Sequence, residues 1–305
     1  MSQHVWPSTE PTEVDLTSGE ARLAVDLRGG GMRRLVVGDW DVIDGYPAGA
    51  AADGWPGAVL VPWPNRVRDG RWTWQGQELQ LELSSPGEPN AIHGLVAWQP
   101  WTVLASAPAE ASVGTILEPR AGYPFRLAVA VDYALAPDRL AVGMRVRNIG
   151  RAAAPFGVGM HPYLHVGANE DGGIAGAELT VPARTALDTE GGLPTGARHR
   201  FHGDVGRIGH RVFDTPLTDL DRDDDGWARL HLRGPLGELE VAVDESWPYL
   251  QLYTADGMPE GRRRRSLAVE PMTCPPNALA DDVDLLVLEP GAEWSGTWTL
   301  TWTAT

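Results

Sequence analysis

The chain predicts an all-β protein, a large antiparallel β-sandwich, on three observations. Short runs of alternating apolar and polar residues succeed one another from Ala21 onward, broken by Gly, Pro and Asp. Several runs are joined in pairs across turn-forming residues, as antiparallel hairpins are. No window of helical length carries apolar residues at sustained three- and four-residue spacing.

In chain order, Met1 to Glu13 is polar, holds two prolines and is expected to fray. Arg22 to Arg28 and Met32 to Val37 form the arms of a hairpin around Gly29-Gly30-Gly31. Three glycines can signal a dinucleotide loop, but the next residues, MRRLVVGDW, continue as a strand and not as a helix start. Arg71 to Leu83 alternates around a Gln75-Gly76 turn, with Trp72 and Trp74 on one face. Arg126 to Asn148 is the clearest hairpin: Leu127, Val129 and Val131 go out, Pro137-Asp138 turns, and Leu140, Val142, Met144 and Val146 return. Trp227 to Val243 repeats the pattern around Gly234 to Gly237, and Trp247 to Thr254 adds a strand. The tail sets Trp298, Leu300 and Trp302 on one face and a row of threonines on the other.

No linker composition or like-charge run divides the 305 residues, so a single domain over 1–305 is expected. The net charge of −16 argues against a nucleic-acid backbone or an anionic membrane as partner. One cysteine, Cys274, excludes an internal disulfide and fits a reducing compartment. The N-terminal stretch has neither a basic nor an apolar signal region, and no apolar run is long enough to span a bilayer. The expectation is a cytoplasmic protein acting as a monomer or homodimer. Thirteen tryptophans are many for this length. Most belong in the core, and one or two at a cleft would stack on a sugar's C–H face.

The chemistry concentrates in four stretches. Leu267 to Ala278, LAVEPMTCPPNA, ends an apolar strand on Glu270, with Pro271, Pro275 and Pro276 stiffening the segment beyond it. A carboxylate at a sheet rim with rigid backbone behind it suits a general base; its plain alternative is a solvated strand-end Glu. Val61 to Gly70, VPWPNRVRDG, brings Asn65, Arg66 and Arg68 together, either as a solvated loop or as a guanidinium fork for hydroxyls. Asn90 to Gly94 is NAIHG, with His93 at the end of a polar loop. Gly159 to His165 is GMHPYLH. His161 and His165 raise the question of a metal, but a third ligand and the HExxH helix are both missing, so His161 reads as a proton donor.

Three further stretches read as structural. Asp221 to Gly226, DRDDDG, matches half of a calcium loop, but Leu232 stands where the bidentate Glu belongs. Cys274 has no basic neighbour to activate it. Arg262 to Arg265 is either a solvated loop or a grip for a substrate phosphate.

Taken together and in order, PWPNRVRDG, NAIHG, GLVAWQPW, GYPF, GMHPYL, FDTPLTDL, YLQLYT and LAVEPMTCPPNA make the sequence resemble the aldose 1-epimerase (mutarotase) family, over roughly Ala58 to Pro290. The resemblance implies the mutarotase-like supersandwich and a cofactor-independent, metal-free isomerase acting on a free aldohexose such as glucose or galactose. It implies Glu270 as general base and His161 as general acid, with His93, Arg66, Asn65 and Asp214 binding the sugar. The family pattern puts His after that aspartate and Thr215 stands here instead, so Asp219 is the alternative. Mutarotation needs a base on the anomeric hydroxyl and an acid on the ring oxygen. A Glu near 4.3 and a His near 6.5 would supply them at neutral pH. The competing readings are a hexose-phosphate 1-epimerase, which the arginine run would serve, a carbohydrate-binding sandwich without turnover, and a glycoside hydrolase, which needs two facing carboxylates.

Overall fold

The computed structural model describes residues 12–84, 88–167 and 173–305. Its strands form two large antiparallel sheets that face each other across one extended core. The first sheet, twelve-stranded among the described residues, begins with Glu13–Ser18, Ala21–Asp26, Met32–Val37 and Trp40–Ile43. It continues through Tyr163–Leu164, Leu267–Met272, Tyr249–Tyr253 and Asp214–Leu220 to the Ala183–Glu190 and Leu193–Arg200 hairpin. The second sheet, nine-stranded among the described residues, is centred on Arg139–Asn148 and the long C-terminal strand Glu293–Ala304.

The expected hairpins form with the expected partners. Leu127 pairs with Asn148 and Leu135 with Leu140, while Ala228 pairs with Val243 and Gly234 with Gly237. The glycines at 29 and 30 are required by packing and not only by the turn. Both have positive φ, and a Cβ would lie 2.2 Å from the Ala97 carbonyl oxygen at Gly29 and 2.4 Å from the Trp101 ring at Gly30.

Two expectations change. Of the stretch expected to fray, residues 1–11 lie outside the described residues, but Glu13 opens the first strand opposite Asp26. It is fixed there by Arg33 Nη2, which donates to its carboxylate at 2.8 Å. The Thr102–Ala107 and Glu110–Leu117 hairpin was not anticipated, because every residue of its edge strand is exposed and alternation carries no signal there.

Core contact between the sheets is direct. Trp298, fully buried, donates its indole N–H to Met160 Sδ at 3.3 Å, and the Tyr133 hydroxyl donates to the Gly30 carbonyl at 2.6 Å. Trp298 lies between Val142 and Val243 in the second sheet, and Met160 directly precedes His161 in the first. Trp298→Ala is therefore expected to destabilise the protein by about 3–5 kcal/mol. Chemical denaturation measures this, and a change below about 1 kcal/mol would mean that the core closes over the loss.

Candidate active site

The parity of one strand separates core from site. Along Leu267–Met272, Leu267 and Val269 belong to the main core. Ala268 joins Tyr163 and Ala255 in a small separate cluster, and Met272 joins Leu187 and Tyr249 in another. Glu270 points the same way as Ala268 and Met272, because strand side chains alternate. Directly opposite Glu270 is Gln251, and opposite Ala268 are Tyr253 and Tyr163. Asp214 pairs with Tyr253 one strand further on. Tyr163, Glu270, Gln251, Tyr253 and Asp214 thus share the sheet face turned away from the main core.

Glu270 is not at a strand end, as the sequence suggested. Pairing continues through Pro271 to Met272, and Glu270 is 2% exposed. The strand that ends beside it is its neighbour. Gly159–Met160 pairs with Leu267–Met272 at Met272, and Tyr163–Leu164 pairs with it at Ala268 and Leu267. Between them the chain breaks at His161-Pro162, which places an imidazole beside the carboxylate. His161 Nε2 lies 3.3 Å from Glu270 Oε1. Backbone bonds fix the break, since His161 N–H donates to Ala58 O at 3.1 Å and Gly57 N–H to His161 O at 2.8 Å.

Both groups are almost fully enclosed, and that changes the expected titration. Burial pushes the Glu270 carboxyl well above the ordinary carboxylate range, with Asp214 adding to the rise and Arg66 opposing it. Burial also pushes His161 down to about 3. The unperturbed values assumed from sequence do not hold. Burial thus pushes both groups of the pair toward their neutral forms.

His93 completes the inner ring of groups. Its ring meets that of His161 edge-on, centroids 5.2 Å apart. The Asn65 N–H donates to His93 Nδ1 at 3.2 Å, and the His93 backbone N–H returns a bond to the Asn65 carbonyl at 2.8 Å. Burial, the His161 ring and Arg66 hold the His93 pKa well below its usual value. A neutral ring that accepts at Nδ1 carries its hydrogen on Nε2, so His93 is a fixed donor.

Arg66 is placed by three contacts. Its own N–H donates to Asn65 Oδ1 at 2.9 Å and its Nη1 reaches the same oxygen at 3.5 Å. Above it lies the tip of the Ala183–Glu190 and Leu193–Arg200 hairpin, where a Cβ on Gly192 would come within 2.5 Å of Arg66 Nη1. Among the described residues, Arg66 has no carboxylate ion-pair partner. Asn277 joins this segment to the Glu270 strand: its N–H donates to Arg66 O at 2.6 Å and its Oδ1 accepts from Arg68 N–H at 2.7 Å. Asp214 accepts from Gln251 Nε2 at 2.7 Å, which ties it to the Glu270 neighbourhood. Asp219, five residues on and exposed, lines a different surface cleft with Arg184, Arg198 and His199.

Sequence reasoning missed Gln251, which reads only as the polar member of an alternating strand. It also missed Trp55, whose ring lies 5.0 Å from that of His93. His165 turns away from the site, its Nδ1 3.1 Å from the Asp41 carbonyl oxygen. Among the described residues no three His, Cys, Asp or Glu side chains are grouped as metal ligands. Asp223 and Asp225 instead pair with Arg229, in the connection that passes from Asp214–Leu220 of the first sheet to Ala228–Gly234 of the second. No helix among the described residues is long and apolar enough to cross a membrane. Histidine NMR tests the site electrostatics: neither His93 nor His161 is expected to charge near the ordinary value of about 6.5, and His93 should report its hydrogen on Nε2. A His93 ring that titrates there would contradict the assignment.

Both the sequence and the fold have relatives. The aldose 1-epimerase family model matches residues 13–301. Uncharacterized protein YihR of Escherichia coli (strain K12) is 35% identical over 239 residues, 77% of this chain and 75% of YihR. A GalM/aldose epimerase homologue from C. elegans superposes with a TM-score of 0.83 at 16% identity, covering 96% of this chain and 99% of the other. Galactose 1-epimerase from Lactobacillus acidophilus NCFM gives 0.77 at 19% identity, over 96% and 94%. These two structures share the supersandwich, and with the match over nearly its whole length the chain belongs to the aldose 1-epimerase family.

Proposed function

We propose that this protein interconverts the α and β anomers of a free aldohexose, without metal or cofactor. The observation that carries the proposal is the enclosed contact of 3.3 Å between His161 and Glu270. Ring opening starts from the ion-pair form of this contact, with Glu270 ionised and His161 protonated: Glu270 takes the proton of the anomeric hydroxyl while His161 gives its proton to the ring oxygen. The C1–O5 bond breaks and an open-chain aldehyde forms. Rotation about C1–C2 then presents the other carbonyl face, and the two groups return their protons as the ring closes. The proton count of the pair is one before and after each step, so no external acid, base or redox partner is needed.

Burial serves this reaction. A carboxylate deprived of water is a stronger base, and an imidazolium deprived of water is a stronger acid. The product of the opening step, a protonated Glu270 beside a neutral His161, is the form that burial favours. His93 Nε2–H supplies a neutral donor for the substrate, with Arg66 and Asp214 for its hydroxyls. Asn65 acts by holding Arg66 and His93, and Gln251 by holding Asp214.

The arginine run bears on the choice between free and phosphorylated sugars. Arg264 is paired with Asp256 at 3.0 Å and Arg265 lies 3.6 Å from Asp44. Arg262 lies 5.9 Å from the centroid of the Tyr163 ring and donates to the Asp53 carbonyl at 3.1 Å. A run divided in this way does not form one phosphate grip, and the free sugar is the better fit.

Polarimetry on freshly dissolved α-glucose, α-galactose and glucose 6-phosphate tests the reading. The protein should speed the change in rotation of a free hexose, and decay at the buffer rate for every sugar would leave only a carbohydrate-binding role. Glu270→Gln is expected to abolish the acceleration while leaving the denaturation midpoint near that of the parent protein; retained turnover would remove Glu270 as base. His161→Asn is expected to lower the rate by at least about 100-fold, the scale of one lost proton transfer. A loss below tenfold would assign the acid to His93.

A further inference from the structure

An imidazole that moves protons is ordinarily oriented through its second nitrogen, which bonds to a carboxylate or a carbonyl. His161 lacks that support. Its Nδ1 is buried and has no hydrogen-bond partner in another described residue. The rings beside it are His93, which meets it edge-on at 5.2 Å with planes 79° apart, and Tyr163, which stacks on it at 4.8 Å with planes 29° apart. Packing therefore sets the plane of the imidazole. A stacked neighbour limits tilt most directly, because tilting drives one edge of the ring into it.

The sequence brings these two rings together. His161 and Tyr163 flank Pro162, whose φ is fixed, and residues two apart on extended backbone project to the same side. Tyr163 is itself tied down. Its hydroxyl donates to Gly54 O at 2.8 Å, and burial pushes that hydroxyl above its ordinary range, so it stays a donor. The Arg262 guanidinium lies over its ring, 5.9 Å from the centroid and within cation–π reach. Arg262 Nη1 also donates to the Asp53 carbonyl at 3.1 Å. Unlike Arg264 and Arg265, Arg262 has no carboxylate partner among the described residues. Its charge is committed to the phenol and to one carbonyl.

Phenol and guanidinium thus grip one loop at adjacent carbonyls, Asp53 and Gly54. That loop is over-determined. Trp55 holds φ at +63°, a left-handed conformation that a bulky residue avoids and that persists only where its surroundings enforce it. Trp55 N–H donates to Ala52 O at 3.1 Å, and Gly57 N–H donates to His161 O at 2.8 Å. The loop therefore holds His161 twice, once through its backbone carbonyl and once through the Tyr163 ring.

We propose that Tyr163 is the positioning residue of the acid–base pair: its ring face, held by the Gly54 carbonyl and by Arg262, sets the plane of the His161 imidazole and keeps Nε2 directed at Glu270. Tyr163 acts through His161, and Arg262 acts through Tyr163. The inference rests on the anomerase reading for its effect on turnover, and on the ring geometry alone for its effect on His161.

The test compares the parent protein with Tyr163→Leu, Tyr163→Phe and Arg262→Met, by kcat and KM on α-glucose and α-galactose and by the His161 ring-proton resonances. A stacked phenol shields those protons. Tyr163→Leu is expected to move them downfield and to lower kcat about 10- to 100-fold, the scale of a misplaced reacting group. KM should change little, because the loss falls on the transition state. Tyr163→Phe keeps the face and should restore most of both. Arg262→Met should lower kcat about two- to fivefold, the scale of one cation–π contact, and move the same resonances part of the way. A folded Tyr163→Leu with the parent's kcat and resonances would overturn the proposal. If Tyr163→Leu does not fold, Arg262→Met decides, and parent-like His161 resonances there would overturn it. Absence of turnover in the parent protein would overturn the anomerase reading, and the resonances alone would then decide the positioning.

Discussion

The contact between His161 and Glu270 depends on an interruption. Beside Leu267–Met272 the regular pairing lapses at His161-Pro162, where one backbone bond remains, from Val269 N–H to Pro162 O at 3.2 Å. The pairing resumes on each side, at Met272 and at Ala268, and opens only where His161-Pro162 intervenes. Proline at position 162 suits such a gap because it has no N–H to offer a ladder. Glu270 and His161 are therefore held by sheet register on one side and by backbone bonds to Gly57 and Ala58 on the other. Backbone bonds and sheet register thus fix where each of the two side chains starts.

Enclosure then decides what the pair can do. In water a glutamate is a weak base and a histidine a weak acid at neutral pH, and neither would act strongly on a hemiacetal. Removing water shifts each toward its neutral form, which makes the charged forms more reactive. Arg66 and Asp214 act on Glu270 in opposite directions, so their influences partly offset each other and burial remains the leading influence. His93 is held well below its usual pKa by burial, His161 and Arg66, and keeps its hydrogen on Nε2.

Much of this was legible in the sequence, and the rest was not for identifiable reasons. Alternation located the hairpins that build the second sheet, because residues such as Leu127 and Val129 bury one face and leave the other wet. Short motifs located Glu270, His161, His93 and Arg66. Sequence placed Glu270 at a strand end because Pro271 comes next, and a local rule cannot see that the neighbouring strand is the one that breaks. It assumed ordinary pKa values because burial is a property of the fold. Gln251 looked like any polar residue on a half-buried strand, and Trp55 lies in a loop with no periodicity. The resemblance put the aspartate at Asp214 with Asp219 as the alternative, and sequence could not show that Gln251, beside Glu270, would bond the first.

The strand that carries the base also separates the protein's two tasks by parity. Leu267 and Val269 help hold the sheets together, while Ala268 and Glu270 face the candidate site, and successive residues cannot exchange these places without a register slip. Burial of a charged carboxylate is ordinarily destabilising, and here it is confined to the face that the main core does not use. The main core can then be packed tightly by residues that need no compromise, Trp298 and Leu300 among them. The strained or polar groups, Trp55, His93 and Glu270, sit where loops and not facing strands cover the sheet. A sheet with one face for cohesion and one for enclosed polar groups lets the polar face carry charge without altering the register on which the contact of His161 and Glu270 depends.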